Sequence, residues 1–253
     1  DMGLCTTMPQ QIVLKDPNKV TCTPPYRTPH ELKPLVEEYV LNLLRYKVIR
    51  KSDSPFSSPL LLVKKPEVNN TSLPLNRRFR LCNDFRRINQ ETVKMSYPLK
   101  HLNELIDEAS QGRIWNLVDI TNSFWQLGLA EESKKYTAFS VGTLGHFEYE
   151  ACAMGLKNSS SWFQMFLDHI MRGEHNVLTY IDDIITIANT HEESIDRLRA
   201  VFNRLRKHGI KCRVSKLRLG AEEINYLGFN ISKDGIKPGE AKVKAIKDWP
   251  EPS

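Results

Sequence analysis

The chain of 253 residues is 40% hydrophobic and 26% charged, enough to bury a core in one large domain or two small ones. Its 12 Gly and 14 Pro follow no period, which excludes a collagen-like or disordered chain. The 36 Lys and Arg exceed the 30 Asp and Glu by 6, a bias toward polyanions such as nucleic acid or nucleotides, or else a solvated surface.

The longest apolar runs, Leu60 to Val63 and Ile184 to Ala188, fall far short of the roughly 20 residues of a membrane-spanning helix. The start at Asp1 carries no basic stretch followed by an apolar one, so the expectation is a chain that is not secreted. Cys5, Cys22, Cys82, Cys152 and Cys212 are odd in number and lack a C-x-x-C pair, which suits a reducing compartment rather than a disulfide frame or zinc site.

Residues 1–30, with Pro9, Pro17, Pro24, Pro25 and Pro29, read as an extended arm. Leu32, Leu35, Val36, Tyr39, Val40, Leu43 and Leu44 follow helical spacing. Thr28-Pro29-His30-Glu31 resembles a capping box, but Pro34 moves the expected start of regular helix to its own position. Leu60 to Val63 and Arg77 to Phe85 are strand candidates joined by a polar hairpin tip at Pro66 to Asn76. A short helix follows at Leu102 to Ala109, then a strand at Ile114 to Ile120, then two extended segments around Gly142 and Gly145. Phe163, Phe166, Leu167 and Ile170 mark a helix for which Ser159-Ser160-Ser161 is the candidate cap. Asn176 to Ala188 reads as a hairpin bent at Asp182-Asp183. Thr190-His191-Glu192-Glu193 is a capping box opening a helix that Gly209 stops, and Glu223 to Phe229 is the last strand. Without the accessory strands the order from Trp115 is β-α-β-β-α-β, an α+β fold with a split antiparallel sheet and both helices on one face.

Two strand candidates carry acids where apolar residues belong. Asp119, flanked by Leu117, Val118 and Ile120, is costly near a core unless a cation compensates it, and a divalent metal is the usual compensation. In this topology the first strand and the hairpin are central neighbours, so Asp119, Asp182 and Asp183 are expected to converge on one pair of ions. Two Mg²⁺ about 3.5 to 4 Å apart support in-line attack of a hydroxyl with pyrophosphate leaving. An Asp pair also makes a hairpin turn with no metal at all.

Four motifs decide between these readings. Asn83-Asp84-Phe85-Arg86-Arg87-Ile88-Asn89, Leu117-Val118-Asp119-Ile120-Thr121-Asn122-Ser123-Phe124-Trp125-Gln126, Met154-Gly155-Leu156-Lys157-Asn158-Ser159-Ser160-Ser161-Trp162-Phe163-Gln164 and Tyr180-Ile181-Asp182-Asp183 occur in the order found in reverse transcriptases. The chain resembles the reverse transcriptase of gypsy-type long-terminal-repeat retrotransposons over essentially its whole length. Pro25-Tyr26-Arg27, Ser54 to Pro59 and Tyr226-Leu227-Gly228-Phe229 match that group as well.

The resemblance implies the fingers and palm of a right-hand polymerase. They divide into an N-terminal arm (1–25), fingers (26–94 and 127–158), palm (95–126 and 159–238, with the primer-grip hairpin) and the start of a thumb (239–253). It implies an RNA-directed and DNA-directed DNA polymerase within a polyprotein, with protease upstream and ribonuclease H and integrase downstream, acting in cytoplasmic virus-like particles. Template with primer and a deoxynucleoside triphosphate would be its partners, and two Mg²⁺, with Mn²⁺ as substitute, its cofactors. Carried over by position, Asp119 and Asp182 are the main metal ligands and Asp183 the weaker third. Lys65 or Lys64, with Arg80, clamps the triphosphate, as a guanidinium and an ammonium suit phosphate charge. Phe124 is the gate against ribose, Met154 and Gly155 contact nucleotide or template, Lys216 donates a proton to pyrophosphate, and Leu227 and Gly228 grip the primer.

Cys152, Ala153, Met154 and Ser160 depart from the family's common residues without removing a charge the chemistry needs; Met154 is equally readable as core. Trp115, Trp125 and Trp162 read as core before base-stacking platforms, and Arg197, Arg199, Arg204, Arg206 and Lys207 as an exposed helix face. A two-metal nuclease explains the carboxylates but not the clamp. A polymerase-derived binding module without activity explains the fold but gives the intact aspartates no purpose.

Overall fold

The computed structural model describes residues 4–65, 74, 78–142, 144–239 and 243–244. In chain order its elements are β1 (Cys5–Gln10), α1 (Lys33–Arg45), β2 (Ile49–Lys51), β3 (Leu60–Lys64), β4 (Phe79–Asn83), α2 (Arg86–Glu91) and α3 (Leu102–Ala109). There follow β5 (Ile114–Asp119), β6 (Leu127–Leu129), α4 (Glu131–Lys134), β7 (Phe139–Val141), β8 (Gly145–Tyr149) and α5 (Ser159–Ile170). The last are β9 (Val177–Tyr180), β10 (Asp183–Ala188), α6 (His191–Lys207), β11 (Arg218–Ala221), β12 (Glu223–Tyr226), β13 (Phe229–Ser232) and β14 (Gly235–Pro238). The chain forms two units, Asp1–Ser96 with Asn122–Phe163, and Tyr97–Thr121 with Gln164–Ser253.

In the first unit, α1 follows a 3-10 turn at His30–Leu32 and holds Pro34 in its first turn, where a missing N–H removes no helical bond. No side chain caps it, so the box at Thr28 does not form. Its Val36, Val40 and Leu43 are buried with Phe56, Phe85, Ile88, Phe139 and Phe147 in one core, each such side chain contributing about 1.5–3 kcal/mol. Strands β2, β8 and β7 make one antiparallel sheet, and β3 with β4 an antiparallel ribbon. Except for Pro74, the expected hairpin tip at Pro66 to Asn76 lies outside the described residues. The N-terminal residues join this unit through β1, which pairs in parallel with β6, and through Tyr26, whose hydroxyl donates to Asp84 at 2.9 Å.

The second unit is built on an antiparallel sheet of order β11-β5-β10-β9, the split arrangement with β5 and β10 at its centre. One face presents Asn116, Thr179 and Thr186. Asn116 donates to Thr186 Oγ1 and Ser194 Oγ, both at 2.8 Å, and Gln164 of α5 donates to Thr179 Oγ1 at 2.9 Å, so α5 and α6 cover this face. The other face presents Trp115, Leu178, Ile185 and Ile187. These are buried with Leu105, Ile106 and Ala109 of α3 and with Ile224, Tyr226 and Ile231.

Two expectations are corrected here. The strand that closes the sheet is Arg218–Ala221, which pairs with β5 through a bulge, whereas Glu223 to Phe229 spans β12 and the start of β13 in a separate sheet with β14. The serines do not precede α5 but form its first turn: Ser159 donates to Ala153 O, and Asn158 spends its side chain on Met95 N and Val93 O. Helix α6 follows its signals. Glu193 N donates to Thr190 Oγ1 at 3.2 Å, and Gly209 adopts φ +71° just beyond the last turn.

Candidate active site

The antiparallel register of β5 and β10 sets Asp119 directly opposite Asp183. Opposed residues point to the same face, so both carboxylates stand at the end of the sheet face that Leu117 and Ile185 line. Asp183 also closes the hairpin against Tyr180, leaving Ile181 and Asp182 as a two-residue turn. Backbone bonds tie the corner together, from Ile120 N to Asp182 O at 3.2 Å and from Arg213 N to Asp119 O at 3.0 Å. Lys216, exposed on a 3-10 turn, donates from Nζ to Asp119 Oδ2 at 3.0 Å. An open cleft of about 540 Å³ lies over this corner, lined by Asp119, Asp183, Ser215, Lys216 and Arg218.

The corner is strongly negative. Burial, reinforced by Asp119 and Asp182, pushes the Asp183 carboxyl up to about 6 against the pull of Lys216. Burial and then Asp119 push the Cys212 thiol up to about 11, and burial and then Asp183 raise the Tyr226 phenol. Carboxylate oxygens are hard donors, and their crowding is the field a divalent cation relieves, so the donor set fits such an ion. The expected convergence of all three is not found. Among the described residues no three His, Cys, Asp or Glu side chains gather closely enough to hold an ion. Asp119 and Asp183 face each other, Asp119 paired with Lys216, and Asp182 sits on the turn.

The turn itself is unusual. Ile181 adopts φ +51°, a left-handed conformation that a β-branched residue rarely takes. Leu227 and Gly228, at φ +50° and +77°, form the two-residue turn between β12 and β13, the left-handed pair that suits the twist of a hairpin.

Lys64, Lys65, Arg80, Phe124, Met154 and Gly155 belong to the first unit. Val63 opposes Arg80 on the β3–β4 ribbon, and Lys65 N continues the ladder to Arg78 O at 2.9 Å. By alternation Lys65 shares the face of Arg80, while Lys64 points to the opposite one. Phe124 lies in a 3-10 turn after Asn122 (φ +43°), half-buried, its ring edge-on to Phe163 at 5.8 Å. Met154 is 54% exposed, so it is not a core methionine. Gly155, at φ +95°, accepts from Asn89 Nδ2 at 2.8 Å. Trp115 is fully buried with its Nε1 donating to Ala109 O, and Trp162 donates to Met8 O, as packing residues do. Arg199, Arg206 and Lys207 are exposed, as the exposed-face reading expects, and Arg199 pairs with Asp196, whereas Arg197 and Arg204 are half-buried, Arg197 paired with Glu193 and Arg204 with Glu174 outside the helix.

Two residues at this corner were not singled out from sequence. Arg218 lines the cleft from a strand without clean alternation. Gln164, 2% exposed, accepts from Ile181 N at 2.8 Å; its signal is a polar side chain one turn before Leu167, between Phe163 and Phe166 of the apolar face.

Residues 63–231 match the family model described as reverse transcriptase (RNA-dependent DNA polymerase). The chain is 33% identical over 232 residues to the retrovirus-related Pol polyprotein from transposon 297 of Drosophila melanogaster, covering 90% of this chain and 21% of the relative. It is 32% identical to that of transposon gypsy, covering 90% and 22%, and 32% identical to the enzymatic polyprotein of Soybean chlorotic mottle virus, covering 89% and 32%. It thus spans about a fifth to a third of the length of these relatives. The fold is that of a foamy viral protease-reverse transcriptase solved with double-stranded DNA, with TM-score 0.86 and 21% identity over 100% of this chain and 51% of the other. The same is true of one solved with an RNA/DNA hybrid, with TM-score 0.85 and 21% identity over 100% and 33%. Among the described residues no helix is long and apolar enough to cross a membrane. The resemblance to gypsy-type elements is therefore borne out by the relatives, and the chain belongs to the reverse transcriptase family.

Proposed function

We propose that this chain supplies the fingers and palm of an RNA-directed and DNA-directed DNA polymerase of a retroelement polyprotein. The observation that carries the reading is the pairing of Asp119 with Asp183 at a Tyr180–Asp183 hairpin, in a chain of this family. Asp119 and Asp182, assisted by Asp183, would hold two Mg²⁺, or Mn²⁺ in their place. Those ions would activate the primer hydroxyl and neutralise the departing pyrophosphate.

The protein's own residues divide the remaining work. Lys65 and Arg80 bind the triphosphate, Arg80 through a planar fork that fits phosphate oxygens and Lys65 as a point charge. The shared ribbon face favours Lys65 over Lys64. Lys216, held at Asp119, carries the proton that pyrophosphate takes up. The Phe124 ring offers a ribose 2′ hydroxyl no acceptor and no room, so deoxynucleotides are selected. Met154 and Gly155 pack against nucleotide or template, and the Leu227–Gly228 turn bears on the primer end. Template with primer, protease, ribonuclease H and integrase segments of one polyprotein, and a cytoplasmic particle complete the proposed setting.

Primer extension on an RNA template with Mg²⁺ tests it. Asp182→Asn keeps the shape and removes the charge, so extension should be abolished while primer-template binding stays nearly intact. Extension within a few-fold of the parent would reject the assignment.

A further inference from the structure

The turn that carries Asp182 rests on a part-buried polar network centred on Gln164, itself 2% exposed. Ile181 stands at φ +51°, where its branched Cβ crowds the backbone, and its N–H lies outside the β9–β10 ladder, which closes at Tyr180 and Asp183. That N–H donates to Gln164 Oε1 at 2.8 Å. The amide's other end donates to Thr179 O at 3.2 Å, Thr179 Oγ1 at 2.9 Å and Asp168 Oδ1 at 2.8 Å. Because Ile181 N–H can only donate and Thr179 O can only accept, the amide orientation is fixed. Asp168 is fixed in turn, with Oδ1 accepting from Thr179 Oγ1 at 2.7 Å and Oδ2 from Tyr97 Oη at 2.6 Å. Burial and Asp168 push the Tyr97 phenol up to about 12, so it stays the donor.

We infer that Gln164 is a positioning residue that holds the Ile181–Asp182 turn in its left-handed conformation, with Asp168, Thr179 and Tyr97 orienting its amide. The inference rests on the polymerase reading for its functional consequence, but the contact itself is structural. Helix α5 thereby sets the place of the carboxylate that follows Ile181. A purely space-filling Gln164 would affect stability alone, whereas a positioning one acts through the backbone of residue 181.

The test compares Gln164→Met, which keeps length and volume, with Ile181→Gly and the double variant in the 253-residue chain. Glycine adopts positive φ freely and needs no holder. Gln164→Met should raise amide hydrogen exchange at Ile181 at least about tenfold and lower single-nucleotide incorporation by about the same factor. Adding Ile181→Gly should return incorporation to within about threefold of Ile181→Gly alone. Should Gln164→Met not fold, the isosteric Thr179→Val frees the amide to swing, and exchange at Ile181 should still rise. Unchanged exchange at Ile181 in a folded variant, or a double variant as impaired as Gln164→Met, overturns the inference. If the parent chain incorporates no nucleotide, the polymerase reading fails, and the exchange measurement still decides the role of Gln164.

Discussion

Asp183→Asn should make the protein more stable while impairing its proposed chemistry. Asp183 titrates near 6 instead of the ordinary 3.8, because burial and the carboxylates of Asp119 and Asp182 oppose its ionisation. At about 1.4 kcal/mol per tenfold, holding it ionised costs the folded state up to ~3 kcal/mol; partial exposure of the carboxyl reduces this to about 1–2 kcal/mol. The sign follows from proton counting. Between about pH 4 and 6 the folded chain binds more protons at this group than the unfolded one, so stability falls as pH rises and the cost is complete above 6. Asparagine cannot ionise. In chelator at pH 7.5 its urea midpoint should therefore correspond to about 1–2 kcal/mol more stability than the parent, and most of the gap should vanish as pH falls toward 4. Millimolar Mg²⁺ should narrow or reverse the order, since an ion that binds only the folded parent stabilises it. A variant less stable than the parent in chelator at pH 7.5, or a gap independent of pH, would refute the claim that this corner is assembled against its own charge.

Three further outcomes are expected. Arg80→Ala should reduce incorporation at limiting nucleotide about tenfold or more with little change in duplex affinity; single-turnover titration reads both, and a change in duplex affinity alone would move Arg80 out of the clamp. Asn116→Leu removes bonds from a buried amide to Thr186 Oγ1 and Ser194 Oγ and the acceptor of Gly220 N, and should cost about 2–4 kcal/mol by urea unfolding; a loss within experimental error would mean that neighbouring hydroxyls satisfy each other. Phe124→Val should raise the ribonucleotide-to-deoxynucleotide efficiency ratio about tenfold or more, and an unchanged ratio in a folded variant would leave Phe124 only its packing against Phe163.

What was legible in the sequence depended on whether local chemistry and tertiary role agreed. Helix α6 could be delimited because Thr190 and Gly209 are signals the backbone itself needs, and both operate as read. The central hairpin was legible because apolar residues and aspartates cannot share a strand without a reason. The closing strand was not, since Arg218-Leu219-Gly220-Ala221 is an exposed, bulged edge with no alternation, while Glu223-Ile224-Asn225-Tyr226 alternates cleanly. Pattern measures how well a segment buries one face and is silent about which neighbour it pairs with. The Lys216–Asp119 pair spans loops whose path no spacing encodes. The same holds for the helix-side amide of Gln164, whose partner Ile181 lies seventeen residues on, in the turn of the β9–β10 hairpin.

Two of the tight hairpins of the second unit show where such hidden support is to be sought. At Leu227–Gly228 one of the two left-handed positions is a glycine, so that position comes without steric cost. At Ile181–Asp182 the left-handed residue is β-branched and no glycine is available. The hairpin ladder alone cannot favour that choice, because the N–H of Ile181 is not part of it. The compensation has to come from outside the hairpin, and it does, through an amide on a neighbouring helix that two further polar side chains and a tyrosine keep in one orientation. A two-residue turn whose left-handed residue is β-branched is thus a physical signal in its own right. It marks a backbone whose shape is held by its surroundings.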